Sequence, residues 1–138
     1  MNCKPIILDG GIEPVYMTKE AACADLAIPR DVSIDPHSTV MVGLGLAFEI
    51  ENGSKILLYP RSSLLVKFGI MAPVSVIDSD FRGREVHAIL HNLTDHIVYL
   101  EKGTRVLQAE CVPAYHCFDW QYIKNERTGG TGSTGEKA

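Results

Sequence analysis

An all-β sandwich or barrel is the fold class that the sequence predicts for this chain. Three observations support it: apolar and polar residues alternate in short runs, glycine- or asparagine-containing turns separate these runs, and helix-length segments are nearly absent. The 138 residues are 46% hydrophobic, enough for one domain to bury an adequate core. We therefore expect a single β domain over residues 1–127 and a flexible glycine-rich arm over residues 128–138.

The predicted strands share short length, an apolar alternation and a turn residue at one end. In chain order they are Pro5–Leu8, Val40–Ile50, Lys55–Tyr59, Glu85–Asn92, Ile97–Leu100 and Arg105–Val112. Asn52-Gly53 is a typical hairpin turn, so the strands on either side of it are expected to pair. Thr18–Ala22 contains helix formers but is too short to be a stable helix alone.

Composition and charge exclude several classes of function. The net charge is −4 and the 13 lysine and arginine residues do not cluster, which argues against a nucleic-acid-binding surface. No apolar run approaches the roughly 18 residues of a membrane span, and Met1–Pro5 lacks the apolar core of a signal peptide. We expect a soluble cytoplasmic protein, in the host cytoplasm if the source is viral. The four cysteines show no CxxC spacing and are expected to be reduced thiols.

The segment Ser75–Val86 is the first candidate site. Asp78 and Asp80 follow an apolar strand, and Phe81 and a glycine precede the next strand. At the tip of a hairpin, extended backbone would turn both carboxylates to the same side. They could then act as a general base with a partner, or bind a metal and its water. A turn rich in aspartate and glycine is the alternative interpretation.

A second candidate site combines one guanidinium with two hydroxyl groups. Arg61, Ser62 and Ser63 follow Pro60, which ends a strand, and a short helical turn is expected there. Such groups suit phosphate oxygens, although a plain serine N-cap is the alternative. Asp25 lies among small apolar residues, where a carboxylate needs partners. We interpret it as a structural residue that orients a basic side chain elsewhere.

Five short motifs occur in order along essentially the whole chain, namely Ala22–Leu26, Pro60–Leu64, Val76–Gly83, Gly103–Gln108 and Arg127–Gly135. Each motif alone is weakly specific, whereas the ordered set is specific. The set resembles the trimeric deoxyuridine triphosphatases, the dUTPases. Pro60–Leu64 reads Pro-Arg-Ser-Ser-Leu, which is the second motif of that family unaltered.

This resemblance implies a jelly-roll-like β-barrel, a homotrimer, and active sites at the subunit interfaces that the carboxyl-terminal arms complete. It implies that Asp78 activates the water that attacks the α-phosphate of dUTP, giving dUMP and pyrophosphate. It also implies a Mg²⁺ cofactor held by phosphates and waters, and assigns supporting roles to Asp25 and Asp80.

The resemblance further implies a set of substrate-binding residues. Phe81 replaces the usual tyrosine beneath the sugar and would exclude a 2′-hydroxyl, so that DNA precursors are preferred. Arg127 would clamp the γ-phosphate. The complete set is Arg61, Ser62, Ser63, Phe81, Gln108, Arg127, Gly130 and Ser133.

Two departures from the family pattern affect how the nucleobase of the substrate is recognised. Thr131 stands where the family has a phenylalanine that stacks on the base, a contact worth about 1–3 kcal/mol. The loop Met71–Ser75 lacks the asparagine often found there. A modified deoxyuridine or another pyrimidine triphosphate therefore remains open as the substrate.

Two other functions are alternatives. A nucleotide-binding regulatory protein of dUTPase ancestry would fit the carboxyl-terminal arm, which lacks the stacking phenylalanine, although Asp78 is retained. The related dCTP deaminases share the barrel, but they use a glutamate in the strand before the asparagine of the third motif. Residues 86–91 contain no carboxylate, so deamination is the weaker alternative.

Overall fold

Antiparallel strands dominate the part of the chain that the computed structural model describes, namely residues 2–116, 122, 127, 129 and 130. One helix and one 3₁₀ turn interrupt the strands within these residues, which confirms the all-β prediction. The elements are β1 (Cys3–Ile7), β2 (Ala24–Ala27), β3 (Val32–Ile34), β4 (Thr39–Gly43), β5 (Leu46–Ile50), β6 (Ser54–Pro60), α1 (Ser62–Phe68), β7 (Ile70–Met71), β8 (Ser75–Ile77), the 3₁₀ turn (Ser79–Phe81), β9 (His87–Asn92), β10 (Val98–Leu100) and β11 (Arg105–Pro113).

The strands pair mainly with partners distant in sequence, in a jelly-roll-like arrangement. One sheet has the order β2-β11-β6-β8 and another has the order β4-β9-β7. Two further pairs, β1-β5 and β3-β10, complete the described architecture. Within the described ranges the longest helix is α1, whose seven residues are too few to cross a membrane.

Alternating side chains of these strands fill one hydrophobic core. On β9, for example, Ala88 and Leu90 are fully buried whereas His87 is exposed. Asn92 is a buried polar residue whose amide donates to the carbonyl oxygens of Ile34 and His96. The largest fully buried side chains are Leu26, Ile28, Ile34, Val42, Leu44, Leu46, Leu58, Leu64, Ile70, Val86, Leu90 and Leu100.

The predicted long strand Val40–Ile50 is wrong in its continuity. It is divided into β4 and β5 at Leu44 and Gly45, where Gly45 adopts a left-handed conformation with φ of 63°. A Cβ atom on Gly45 would lie 2.6 Å from the Cα of Gly11, so close backbone packing requires glycine here. Alternation alone does not reveal the break, since Leu44 remains buried.

The two predicted hairpins are also wrong. A turn does form at Asn52-Gly53, but β5 pairs with β1 whereas β6 pairs with β11 and β8. Likewise, β8 pairs with β6 whereas β9 pairs with β4 and β7. A local turn sequence reverses the chain direction, but the burial of side chains decides which strands become neighbours.

The expectation of four reduced cysteines is contradicted as well. Cys3 on β1 and Cys111 on β11 form a disulfide, with a Cα–Cα distance of 6.3 Å. These residues are 108 positions apart in sequence, so no local spacing pattern could have indicated the bond. Cys23 is a free thiol, and Cys117 lies outside the described residues.

Candidate active site

Asp78 lines a cleft of about 330 Å³. It follows β8, and its backbone carbonyl accepts a hydrogen bond from the N–H of Phe81 at 3.0 Å, which closes the 3₁₀ turn. The Asp78 side chain is 52% exposed, so water reaches its carboxylate. Phe81, His87 and Met41 also line the cleft. The site therefore pairs a half-exposed carboxylate with a wall that includes an aromatic ring and an apolar side chain.

Arg127 brings the two carboxylates of this segment together. Its Nη2 contacts Oδ2 of Asp78, and its Nε donates to Oδ1 of Asp80 at 2.9 Å. The guanidinium carbon also lies 5.7 Å from the centroid of the Phe81 ring, a cation–π distance. The two aspartates thus face one cation, Asp78 from the extended backbone that the sequence predicts and Asp80 from the 3₁₀ turn that follows it.

The carboxyl-terminal arm reaches the cleft within the described residues. Gly130 lines it next to Phe81, and a Cβ on Gly130 would lie 3.5 Å from the ring carbon Cε2. Thr131 and Ser133, which the sequence also singled out, lie outside the described residues. Tyr122 is described and exposed, 6.2 Å from the His116 ring.

Arg61, Ser62 and Ser63 lie at the start of α1. Arg61 occupies the N-cap position with extended backbone angles, and within the described chain no side-chain hydrogen bond caps the helix. The serine N-cap interpretation is therefore wrong, because both serines belong to the first helical turn. Gln108 lies beside them on β11, where its side-chain amide donates to the carbonyl of Pro60 at 3.2 Å.

Asp25 on β2 lies against the residues around Arg61. We call Arg61, Ser62, Ser63, Gln108 and the neighbouring Arg105 the Arg61 cluster. Asp25 is only 8% exposed, and its Oδ2 lies 3.2 Å from Nε of Arg61 and 3.7 Å from Nε of Arg105. Arg61 also donates from Nη1 to the carbonyl of Arg105 at 3.2 Å. One buried carboxylate therefore holds two guanidinium groups side by side. Arg105 was missed as a site residue, although it belongs to the same motif as Gln108.

A tyrosine–glutamate pair lies next to Asp25 in the same sheet. The hydroxyl of Tyr59 donates to Oε1 of Glu110 at 2.6 Å, and this hydrogen bond raises the pKa of Tyr59. Burial raises the pKa of the Cys23 thiol, and the carboxylates of Glu110 and Asp25 raise it further. The Tyr59 hydroxyl and the Cys23 thiol therefore both stay protonated around neutral pH.

The Asp78 cleft and the Arg61 cluster lie at opposite ends of β6. Ile77, which precedes Asp78, pairs with Ile56 near the start of β6, whereas Arg61 follows the end of that strand. Five residues separate Ile56 from Arg61, and an extended strand rises about 3.3 Å per residue, so the separation along β6 is about 17 Å. Among the described residues, those around Arg61 do not line the Asp78 cleft.

Metal ligands are sparse in the described part of the chain, where no three His, Cys, Asp or Glu side chains are grouped to hold an ion. His87 and His91 share one face of β9, and Nδ1 of His91 is hydrogen-bonded to the Thr39 hydroxyl at 2.8 Å. Asp78 and Asp80 provide two carboxylates, so most ligands of a Mg²⁺ ion here would come from phosphate oxygens and water.

Fold and site together define a jelly-roll-like β protein with a carboxylate cleft and a separate cationic cluster. Residues 11–135 match the family model described as dUTPase. A deoxyuridine 5′-triphosphate nucleotidohydrolase from Nautilia profundicola is 39% identical over 132 residues, covering 89% of this chain and 90% of the relative. The chain therefore belongs to the dUTPase family, as the five motifs predicted.

Solved structures agree with this assignment. The dUTPase from Streptococcus mutans superposes with a TM-score of 0.75 at 28% identity, covering 79% of this chain and 94% of that one. A mutant dUTPase from phage phi11 of S. aureus, described with a structural Mg(II) ion, has a TM-score of 0.77 at 16% identity and covers 91% and 99%. The phage protein supports the likeness of fold alone.

Proposed function

We propose that this protein hydrolyses dUTP to dUMP and pyrophosphate. The observation that carries the proposal is the half-exposed carboxylate of Asp78, which lines a cleft beside Phe81 and contacts Arg127. A carboxylate in this setting suits a general base for water, and the aromatic ring suits a nucleoside. The curated relative from Nautilia profundicola, which is named for the same reaction, supports the substrate class.

In the proposed mechanism, Asp78 orients a water molecule and accepts its proton. The water oxygen forms a bond to the α-phosphorus while the bond to the bridging oxygen breaks, so that pyrophosphate leaves. General-base catalysis of this kind contributes about 10²- to 10⁴-fold to the rate. Arg127 has to move from Asp78 to a phosphate when the substrate binds, which frees the carboxylate to act as the base.

The Arg61 cluster is proposed to bind the phosphates. Arg61 can contact phosphate oxygens in a bidentate manner because Asp25 fixes its guanidinium. Ser62, Ser63 and Gln108 supply neutral donors beside it. Mg²⁺, bound through phosphates and water, would further neutralise the developing negative charge. Phe81 is proposed to lie under the deoxyribose, Arg127 to clamp the γ-phosphate, and Gly130 and Ser133 to place the arm over the substrate.

The separation of the Asp78 cleft from the Arg61 cluster supports a site shared between subunits, which we propose belong to a homotrimer. Ile77, which precedes Asp78, and Arg61 of the same chain lie at opposite ends of β6, about 17 Å apart along the strand. One triphosphate then meets both clusters only if they come from different subunits. We therefore propose that each site combines Asp78 of one subunit with Arg61 of another, and that an arm closes over it.

Pyrophosphate release from dUTP with Mg²⁺ tests the reaction. Asp78→Asn should lower kcat by at least about 10²-fold, because the amide cannot accept the proton. Asp95→Asn is the matched control, since this aspartate is 97% exposed and pairs only with His37 among the described contacts. A wild-type rate no higher than that of Asp78→Asn would refute hydrolysis and favour a nucleotide-binding regulatory protein. Parallel assays with dCTP, dTTP and UTP would establish which base and sugar are preferred.

Mixing two inactive variants tests the shared site. Asp78→Asn chains retain the Arg61 cluster, and Arg61→Ala chains retain Asp78. If the proteins are unfolded and refolded together, mixed trimers should regain intact sites and part of the wild-type turnover. No recovery in demonstrably mixed trimers would show that both clusters act within one chain.

A further inference from the structure

The carboxylate of Glu85, which belongs neither to the Arg61 cluster nor to the contacts of Arg127, connects the Asp78 cleft to the break between β4 and β5. Oε2 of Glu85 accepts a hydrogen bond from the backbone N–H of Gly45 at 2.9 Å. Its Oε1 lies 3.8 Å from Nε2 of His87. Both carboxylate oxygens therefore face fixed groups, although Glu85 lies on a segment without regular secondary structure between the 3₁₀ turn and β9.

Two backbone hydrogen bonds continue this connection. The N–H of Leu44 donates to the carbonyl of Val86 at 3.0 Å, and the N–H of Val86 donates to the carbonyl of Leu46 at 2.7 Å. Residues 85 and 86 are thus bound to residues 44–46 by three hydrogen bonds in succession. We call this contact the Glu85 clamp.

The β4–β5 break leaves room for this carboxylate. Gly45 directs its N–H towards Glu85 from a left-handed conformation that L-residues rarely adopt. Gly43 has no side chain, and a Cβ atom there would lie 2.8 Å from Oε1 and 2.9 Å from Oε2 of Glu85. The carboxylate therefore occupies the space that an alanine at position 43 would need.

The clamp matters for the site because its residues form one wall of the nucleotide cleft. Glu85, Val86 and His87 line the same cleft as Asp78 and Phe81. The segment from Asp78 to Val86 has few ladder hydrogen bonds of its own, because β8 ends before it and β9 begins after it. Its far end is held by the clamp.

We infer that Glu85 is a positioning residue that sets the width of the nucleotide cleft by fixing residues 85–87 relative to Asp78 and Phe81. This inference rests on the proposed function, since the cleft is the one in which we place the deoxynucleoside. Glu85 acts through the backbone of its neighbours and does not need to contact the reacting phosphate.

The first test compares Glu85→Ala with Glu85→Gln. The alanine variant loses the acceptor for the Gly45 N–H, and the KM for dUTP should rise about tenfold, the effect expected from losing one hydrogen bond to a charged group. The kcat should change by less than about threefold, because Asp78 is untouched. The glutamine variant keeps an acceptor oxygen and should restore most of the affinity. An unchanged KM in Glu85→Ala, even with a lower thermal midpoint, would overturn the inference.

The second test uses the close approach at Gly43. Gly43→Ala should displace the carboxylate and raise KM much as Glu85→Ala does. The double variant should be no worse than Glu85→Ala alone, because the added methyl group then has no carboxylate to displace. Effects that multiply in the double variant would contradict the clamp.

Equilibrium binding of a non-hydrolysable dUTP analogue separates this inference from the proposed function. If the wild type binds the analogue without hydrolysing dUTP, the proposed reaction fails, and the same variants compared by their Kd values still decide the role of Glu85. If the wild type does not bind the analogue, both proposals are overturned.

Discussion

Replacing Asp25 by asparagine should weaken substrate binding without touching any group that contacts the substrate. Asparagine keeps the size of the side chain but removes the charge that Arg61 and Arg105 share. The Asp25 side chain is 10% exposed, whereas those of Arg61 and Arg105 are 27% and 35% exposed. The carboxylate is thus mostly shielded from water, and its two partners are partly hydrated.

The structure sets the expected magnitude between two limits. A hydrogen bond to a charged group contributes about 1.5–3 kcal/mol, and an exposed ion pair about 0–1 kcal/mol. With one contact at 3.2 Å and a looser one at 3.7 Å, we expect the free energy of unfolding to fall by about 1–2 kcal/mol. Arg61 should lose its fixed orientation, and kcat/KM for dUTP should fall about tenfold, which corresponds to about 1.4 kcal/mol.

Steady-state kinetics and urea unfolding at one fixed protein concentration would measure both effects. Asp95→Asn, at an exposed site, should change neither value by a measurable amount. If Asp25→Asn loses stability but keeps the wild-type kcat/KM, Asp25 supports the sheet and does not orient Arg61. If neither value changes, the ion pairs contribute nothing and the reasoning is refuted.

Two further predictions concern the cysteines. Reducing the Cys3–Cys111 disulfide, or replacing Cys111 by serine, should lower the free energy of unfolding by up to about 5 kcal/mol, because the bond closes a loop across 108 residues; identical urea curves with and without reductant would contradict the bond. Cys23 should react with iodoacetamide more slowly in the native protein than in guanidinium, since burial and two carboxylates raise its pKa and the thiolate is the reactive form. The native rate should increase as the pH rises towards that raised pKa, and equal native and unfolded rates at pH 8 would refute the shift.

Strand positions were predictable where turn residues bounded an alternating run, although the longest run, Val40–Ile50, is divided into β4 and β5. The prediction for Arg105–Val112 differs from β11 by one residue, and that for Glu85–Asn92 differs from β9 by two. The short strands β2 and β3 were missed, because three or four residues are too few to establish a period.

The candidate site residues were recognisable from sequence, but their arrangement was not. The ordered motifs identified Asp78 and Arg61 as candidates because the residue types suit a base and a phosphate ligand. Nothing in the motifs indicates that β6 separates these two residues. Arg105 could have been found from its place three residues before Gln108, whereas Glu85 carries no sequence signal, since its partner is a backbone N–H forty residues away.

The sequence by itself determined the β class, the turns and the family, because alternation, turn residues and short motifs are properties of neighbouring residues. Only the tertiary structure decided which strands pair, that Cys3 meets Cys111, that Asp25 holds two arginines, and that Glu85 is bound to the β4–β5 break. Each of these contacts joins residues far apart in the chain. Such contacts form when apolar faces are buried against one another, and no local pattern specifies which faces will meet.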